Sequence, residues 1–416
     1  MKTVVLGAGV IGITTAYYLN KAGHDVTVVE RNAHAGLETS YANGGQLSYS
    51  YVAPLAGPGV VPKIPPWLLR RDSPLRFYPK FDFDQWRWCL AFVAACNRPQ
   101  AEISTVHLLR LAYYSRDMIH DIVAHEKITF DYRRNGKLVI FSDQDSFDGA
   151  RKTLDFQREH GSLQEAFSKQ QVLIKEPALQ HIESRIFGGI YTPSEDAGDC
   201  HDFCVAMEAL LRERGVKFLT GTSIDKIERA AHSRSIRAIH TSQGEIQADA
   251  YVMALGAANA RVAKSLGFYL PIYPLKGYSL TLATKGFSGA PHISVTDSKF
   301  KVVYALLGDE LRIAGMADIA GYDRSLEADR VSLLIAQAKA TFPDAADYSA
   351  DLKPWAGLRP ATPKGTPIIG KSPFDNLYLN TGHGALGWTL ACGCAKVVAD
   401  TIEGKASAIA LDGLTL

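Results

Sequence analysis

The sequence predicts an α/β fold in which a parallel-sheet domain is interrupted by a second, α+β domain built on a mostly antiparallel sheet. Three observations predict it. A glycine-rich turn joins a strand to a helix within the first thirty residues. Strand–helix alternation then lapses and returns only near residue 200, and a second strand–glycine turn–helix closes the chain.

Thr3–Leu6 is a short apolar run of the kind that forms a fully buried parallel strand. Gly7-Ala8-Gly9-Val10-Ile11-Gly12 turns it, and Ile13–Ala22 shows helical spacing that stops at Gly23. Val26–Val29 is a second buried strand with Glu30, then Arg31, at its carboxyl end. Gly7 makes the tight turn, Gly9 lets backbone approach a pyrophosphate, and Gly12 lets helix and strand pack closely. The backbone N–H groups of the turn and of Val10 and Ile11 meet the phosphates at the positive end of the helix dipole. Glu30 suits ribose hydroxyls and repels a 2′-phosphate. The unit is Rossmann-like and its ligand an adenine dinucleotide, NAD or FAD.

Bulk properties narrow the class. The 416 residues amount to roughly two to three domain-sized units. With 47% apolar and 21% charged residues the composition is that of a soluble globular protein. A formal charge of +2 gives no argument for nucleic-acid binding. The six cysteines form no CxxC pair and no zinc-ligand spacing, so no metal is expected and the thiols read as reduced, cytoplasmic and mostly buried. The opening strand predicts no signal peptide. The longest candidate apolar run, Cys89–Cys96, has eight residues, against ~18 for a spanning helix.

A simple NAD domain completes its βαβαβ units within about the first 150 residues; this chain does not. Ser40–Pro66 is rich in Gly, Ser, Tyr and Pro without helical period. Helical, aromatic-rich stretches follow at Phe83–Cys96 and His107–His125, then a strand at Val139–Phe141 and a helix from Gln144 to His160. Asp202–Arg214 reads as an amphipathic helix before the strand Val216–Leu219. Ile236–His240 and Glu245–Gln247 form a hairpin that leads into the strand Ala250–Ala254. Further strands are expected at Tyr278–Ala283, Lys301–Leu306 and Leu311–Ala314, with a helix at Asp329–Phe342. The dinucleotide domain therefore comprises residues 1–55, 195–270 and 350–416, and the second domain 56–194 and 271–349. That interruption fits FAD and argues against NAD.

Several segments together resemble the bacterial D-amino-acid dehydrogenases, within the wider group of D-amino-acid, glycine and sarcosine oxidases. They are Gly7–Gly12, Glu30, Glu38-Thr39-Ser40, Asn43-Gly44-Gly45-Gln46, Pro274-Leu275-Lys276-Gly277-Tyr278-Ser279, Trp355-Ala356-Gly357-Leu358-Arg359-Pro360 and Asn380-Thr381-Gly382-His383-Gly384 with Gly387-Trp388-Thr389. The resemblance runs from residue 1 to about 405. Gly44 departs from it, standing where those dehydrogenases usually have Ala, and the chain stops soon after its last helix.

The resemblance implies oxidative deamination: hydride leaves the substrate Cα for flavin N5, and the imino acid hydrolyses to a 2-oxo acid and ammonia. FAD supplies the chemistry and the protein supplies binding, orientation and charge. Arg359 matches the substrate-carboxylate arginine, whose planar guanidinium suits bidentate capture. The turn Gly382-His383-Gly384-Ala385-Leu386-Gly387-Trp388-Thr389 sets a helix N-terminus where negative charge develops on the flavin. His383 within it reads as a hydrogen-bond partner before a base. Tyr278 is the first candidate to orient substrate, with Tyr273 and Tyr304 behind it. Thr39, Ser40, Asn43, Gly45 and Gln46 lie within reach of the pyrophosphate and flavin, and Ala254 and Gly256 give a second backbone contact. Attachment is expected to be noncovalent, since residues 355–362 hold no cysteine and Cys392 and Cys394 fall inside the last helix.

The same resemblance favours a quinone or other non-oxygen electron acceptor. Residues 64–96 mix aromatics (Trp67, Phe77, Tyr78, Phe81, Phe83, Trp86, Trp88) with Arg70 and Arg71. They either pack the inserted domain or rest on the inner face of the cell membrane. Two other readings keep the fold: a glycine, sarcosine or D-proline-type amine oxidase, and a flavin-binding subunit that only relays electrons.

Overall fold

A computed structural model describes residues 1–64, 73–350 and 352–416. Trp67, Arg70 and Arg71 lie outside the described residues.

The apolar runs flanking the first glycine turn become the centre of a six-stranded sheet. Its order is Ile368–Lys371, Leu377–Thr381, Ala250–Met253, Lys2–Leu6, Asp25–Val29 and Lys217–Leu219. All neighbours are parallel except Ile368–Lys371, which runs antiparallel to Leu377–Thr381. One face is covered by the helices Val10–Lys21, Cys200–Glu213 and Gly387–Ile402, with Arg98–His125 packed on the last. Their shared apolar core includes Ile13, Tyr17, Leu108, Phe203, Trp388 and Val397. The segment Gly384–Ile402 is long and apolar enough to cross a membrane, yet it is 72% buried in the protein. Its cysteines, Cys392 and Cys394, are buried, and that burial raises both thiols.

The second sheet has nine strands. Its main path is Trp355–Ala361, Tyr273–Ala283, Glu310–Ile319, Val302–Leu307, Ser294–Asp297, Lys137–Phe141, Gly188–Thr192 and Glu165–Ser168, and Leu75–Phe77 joins Glu310–Ile319. It is mostly antiparallel; the parallel pairs are Ser294–Asp297 with Lys137–Phe141 and Leu75–Phe77 with Glu310–Ile319. The helix Ala328–Thr341 packs on one face, its Leu334 in one core with Tyr304 and Ile313. One strand falls differently from the sequence expectation. Trp355–Ala361 lies inside 350–416, yet it is antiparallel to Tyr273–Ala283 and so an edge strand of this larger sheet. The sequence pattern does not show Ser294–Asp297, Gly188–Thr192 and Glu165–Ser168, which are short, with glycines or polar residues that blur the strand period.

The aromatic segment is buried on one side and exposed on the other. Trp88 and Phe92 stack at 5.2 Å in the core, and the Trp88 indole N–H donates to the Ala361 carbonyl at 2.8 Å. On the other side of the helix Phe83–Ala95, Phe83, Trp86, Leu90 and Val93 stay exposed, with Phe81 just before it.

Candidate active site

The first glycine turn has the geometry its spacing demands. Gly7 has φ +100° and its N–H donates to the Val29 carbonyl at 2.8 Å, drawing both strand ends together. A Cβ on Gly12 would stand 1.8 Å from the Gly7 carbonyl oxygen, so only glycine lets helix and strand approach this closely. Gly9 is the N-cap, and the Val10 N–H donates to Ser40 Oγ at 3.0 Å. Ile11 follows in the first turn. Glu30 is buried; Oε2 accepts from the Ala8 N–H at 2.8 Å, and Oε1 accepts from the backbone and side-chain N–H groups of Asn32. A carboxylate has about four acceptor sites, so these bonds fix its direction and leave capacity for a hydroxyl. Arg31 turns outward and pairs with Glu38, which also takes Arg324.

Residues 39–48 then cross the face of the larger sheet. Thr39 Oγ1 donates to the Leu358 carbonyl (2.9 Å), and Ser279 Oγ donates to the Ala42 carbonyl (2.6 Å). Arg312 donates to the Asn43 carbonyl and to Asp199. Asn43 Oδ1 accepts from the Gly45 N–H, and Gln46 Nε2 donates to the carbonyls of Val295 and Tyr304. A Cβ on Gly44 or Gly45 would come within 2.9 Å of Val303 or 2.8 Å of Leu307, respectively, so the strip lies flat against the sheet. The side chains of Thr39, Asn43 and Gln46 are thus engaged in holding this strip.

At the other end two turns converge on the strand Trp355–Ala361: Gly256–Ala258 and Gly384–Leu386. Gly256 and Gly384 have φ +56° and +55°, and among the described residues, local backbone and chain neighbours aside, no atom lies within 4 Å of where a Cβ on either would stand. The Ala254 N–H continues the sheet onto Leu6, and Gly382 turns the chain at φ +78° against Thr362. His383 is buried, its Nε2 has no partner among the described residues, and burial pushes its pKa down to about 3. Two glycine turns with open space beside them, and an unpartnered buried imidazole nitrogen, fit a planar heterocycle set between the sheets.

Arg359 sits between those turns. Its guanidinium lies over Gly277, where a Cβ would be 2.4 Å from Nη2 and 2.6 Å from Cζ. Nη1 donates to the Met316 carbonyl at 2.8 Å. Met316 has φ +61°, rare for a non-glycine residue, at a bulge where the pairing shifts between Lys276–Asp318 and Tyr278–Gly315. The bulge aims that carbonyl at the guanidinium. Among the described residues no carboxylate lies within 4 Å of Arg359, and burial pulls its pKa below the usual range. Among the described residues, only one of its five N–H donors has a partner.

Five residues expected at the site have their side chains engaged elsewhere. Tyr278 points to the opposite face of its strand from Gly277, is fully buried, and donates to Asp318 at 2.8 Å; burial and that carboxylate push its pKa well up. Asp318 also pairs with the fully buried Arg330, so Tyr278 belongs to a structural network under the helix Ala328–Thr341. Tyr304 is in the same core, donating to Thr341, and Tyr273 donates to Asp82 beside Trp88. Trp388 and Thr389 also turn away from the turn they follow. The indole N–H donates to the Gly198 carbonyl at 3.1 Å, and Thr389 Oγ1 accepts from the Ser48 N–H at 2.9 Å. In both cases periodicity placed the residue near the site but not the face it occupies. Gly277 and the Met316 carbonyl were missed because their role exists only once three strands are in register.

Fold and site together define an FAD-dependent oxidoreductase. The family model of that description, "FAD dependent oxidoreductase", matches residues 2–401; the chain belongs to that family, and its cofactor is FAD. At the level of particular proteins it is similar to "D-amino acid dehydrogenase 2" of Ralstonia nicotianae, 47% identical over 99% of this chain and 98% of that one. It is 44% identical to a D-amino acid dehydrogenase of Paramagnetospirillum magneticum over 100% of this chain and 98% of the relative. Among solved structures it shares its fold with glycine oxidase from Geobacillus kaustophilus (TM-score 0.77, 22% identity, covering 100% and 97% of the two chains). L-Proline dehydrogenase from P. horikoshii is similar too (TM-score 0.76, 17% identity, 98% and 94%).

Proposed function

We propose that this enzyme oxidises D-amino acids to 2-oxo acids and ammonia and passes the electrons to a quinone or other non-oxygen acceptor. The observation that carries the reading is Arg359: a part-buried guanidinium with one hydrogen bond and no carboxylate partner among the described residues. An amino acid's carboxylate supplies the missing partner through two parallel N–H···O bonds. Relatives named D-amino acid dehydrogenase at 44–47% identity over the full chain support the substrate class.

FAD, when bound, would supply the acceptor for the hydride that leaves the substrate Cα. The protein does the rest. Gly7, Gly9 and Gly12 with Glu30 would hold the adenine and pyrophosphate half, Ser40 closing the helix N-terminus beside it. The Gly256 and Gly382–Gly387 turns would frame the flavin, and N–H groups at the start of the last helix would offset the negative charge of reduction. Arg359 fixes the carboxylate and so orients Cα. The substrate amine must be neutral before hydride leaves. His383, with a pKa near 3, is too weak a base to take that proton, so its part is to donate or accept a hydrogen bond.

The exposed row Phe81, Phe83, Trp86, Leu90 and Val93, with Arg87 among them, supports a peripheral contact with a membrane that holds the acceptor. Absence of binding in liposome flotation removes that part alone. The activity is tested by anaerobic titration of the bound flavin with D-amino acids, their L-enantiomers, glycine and D-proline, then reoxidation with a quinone analogue or air. D-amino acids should bleach the flavin and the quinone analogue should restore it faster than oxygen. Bleaching only by glycine or D-proline would shift the substrate class, and no bleaching would leave an electron-relay protein.

A further inference from the structure

The strand that carries Arg359 also carries Trp355, and the two share a face. Trp355, Gly357 and Arg359 alternate along one side of the strand, and Gly357 pairs across to Gly277. A Cβ on Gly357 would stand 1.9 Å from the far edge of the Trp355 six-membered ring, at Cη2. The indole therefore lies down over Gly357 while the guanidinium lies over Gly277. Cross-strand partners are about 5 Å apart, so ring and guanidinium sit side by side on a floor of two glycines. Ala361, at the other end of the strand, bridges to His383. Arg359 is thus nearer the flavin turn and Trp355 further out.

Tyr41 extends the wall toward solvent. Its ring centroid is 6.5 Å from that of Trp355 and 4.9 Å from His201, and the residue is 44% exposed. Neither the Trp355 indole N–H nor the Tyr41 hydroxyl has a hydrogen-bond partner among the described residues. Two glycines are thus kept clear to lay an indole beside the carboxylate clamp, and a tyrosine edges the indole at the surface.

We infer that Trp355 and Tyr41 form the side-chain subsite, selecting D-amino acids with aromatic or large apolar side chains. This rests on the activity proposed above. A substrate whose carboxylate is held by Arg359 lays its side chain across the indole, and an acidic side chain would lose hydration there. The rings bind substrate and transition state alike, so their removal acts mainly on KM.

The test uses FAD-loaded enzyme and the ratio of kcat/KM for D-phenylalanine to that for D-alanine. Trp355→Ala should lower this ratio by about 10- to 100-fold, chiefly through the D-phenylalanine KM, and Trp355→Phe should restore most of it. Tyr41→Ala changes a half-exposed residue and keeps the test open if Trp355→Ala does not fold; it should lower the ratio at least threefold. An unchanged ratio in either folded variant overturns the inference, as does a fall in kcat shared equally by both substrates. If no D-amino acid reduces the wild-type flavin, the activity itself fails; unchanged selectivity in an active enzyme sinks the subsite alone.

Discussion

Gly277→Ala tests whether the position of the Arg359 guanidinium, and not merely its charge, drives the reaction. Gly277 is not in a left-handed conformation, so alanine fits its backbone and the whole effect is steric. The new methyl would stand 2.4 Å from Nη2, 2.6 Å from Cζ and 3.0 Å from Nε. Ordinary contact begins near 3.4 Å, so the guanidinium must retreat by about 1 Å. That breaks the 2.8 Å bond to the Met316 carbonyl, which for a charged donor costs about 1.5–3 kcal/mol. A 1 Å misplacement of a substrate-positioning group costs about 100-fold in rate, or ~2.7 kcal/mol, in agreement. We expect kcat/KM for a D-amino acid to fall about 100-fold while flavin absorbance per protein stays as in wild type, because Gly7–Gly12 is untouched. Steady-state kinetics with a quinone analogue, beside a flavin spectrum and a thermal melt, gives all three. A folded, flavin-loaded variant within threefold of wild type would refute the reasoning.

Other outcomes follow from the same geometry. Tyr278→Phe removes a buried bond to Asp318 and should lower stability by about 1.5–3 kcal/mol while leaving kcat/KM within threefold; a loss of activity without a loss of stability would return Tyr278 to the site. Gly12→Ala puts a methyl 1.8 Å from the Gly7 carbonyl oxygen, so the protein should be isolated without flavin or not fold, as read from the 450 nm absorbance. His383 is held at a pKa of about 3 against 6.5 when unfolded. Between those values the unfolded chain binds more protons, so this group lowers stability as pH falls from about 6.5 toward 3 and contributes nothing above. His383→Asn should accordingly move the acid-unfolding midpoint to lower pH, read by tryptophan fluorescence; an unmoved midpoint would show that the imidazole titrates freely.

The two glycine turns were legible because their logic is local: strand, turn, helix and acid follow one another, and steric demand at Gly7 and Gly12 can be read from residue type. Arg359 was legible through its motif, but its setting was not. That Gly277 lies beneath it, that Met316 is turned to face it, and that Tyr278 looks the other way all depend on pairing three strands distant in sequence. Alternation along Tyr273–Ala283 told that two faces exist and could not tell which one meets the parallel-sheet domain. Likewise Trp388 and Thr389 follow a glycine turn, yet helical phase directs them at Gly198 and Ser48. For the same reason the pairing of the edge strand Trp355–Ala361 with Tyr273–Ala283 was not legible from its position in the sequence.

The central claim is that Arg359 captures the substrate carboxylate. Its most direct test is kcat/KM of Arg359→Ala for a D-amino acid and for the corresponding amine that lacks the carboxylate. Removing one partner of a desolvated charge pair costs about 3 kcal/mol or more, so the account predicts a fall of at least about 150-fold for the amino acid. It also predicts that most of the preference for amino acid over amine disappears. A fall of less than tenfold, or an equal fall for both compounds, would contradict it.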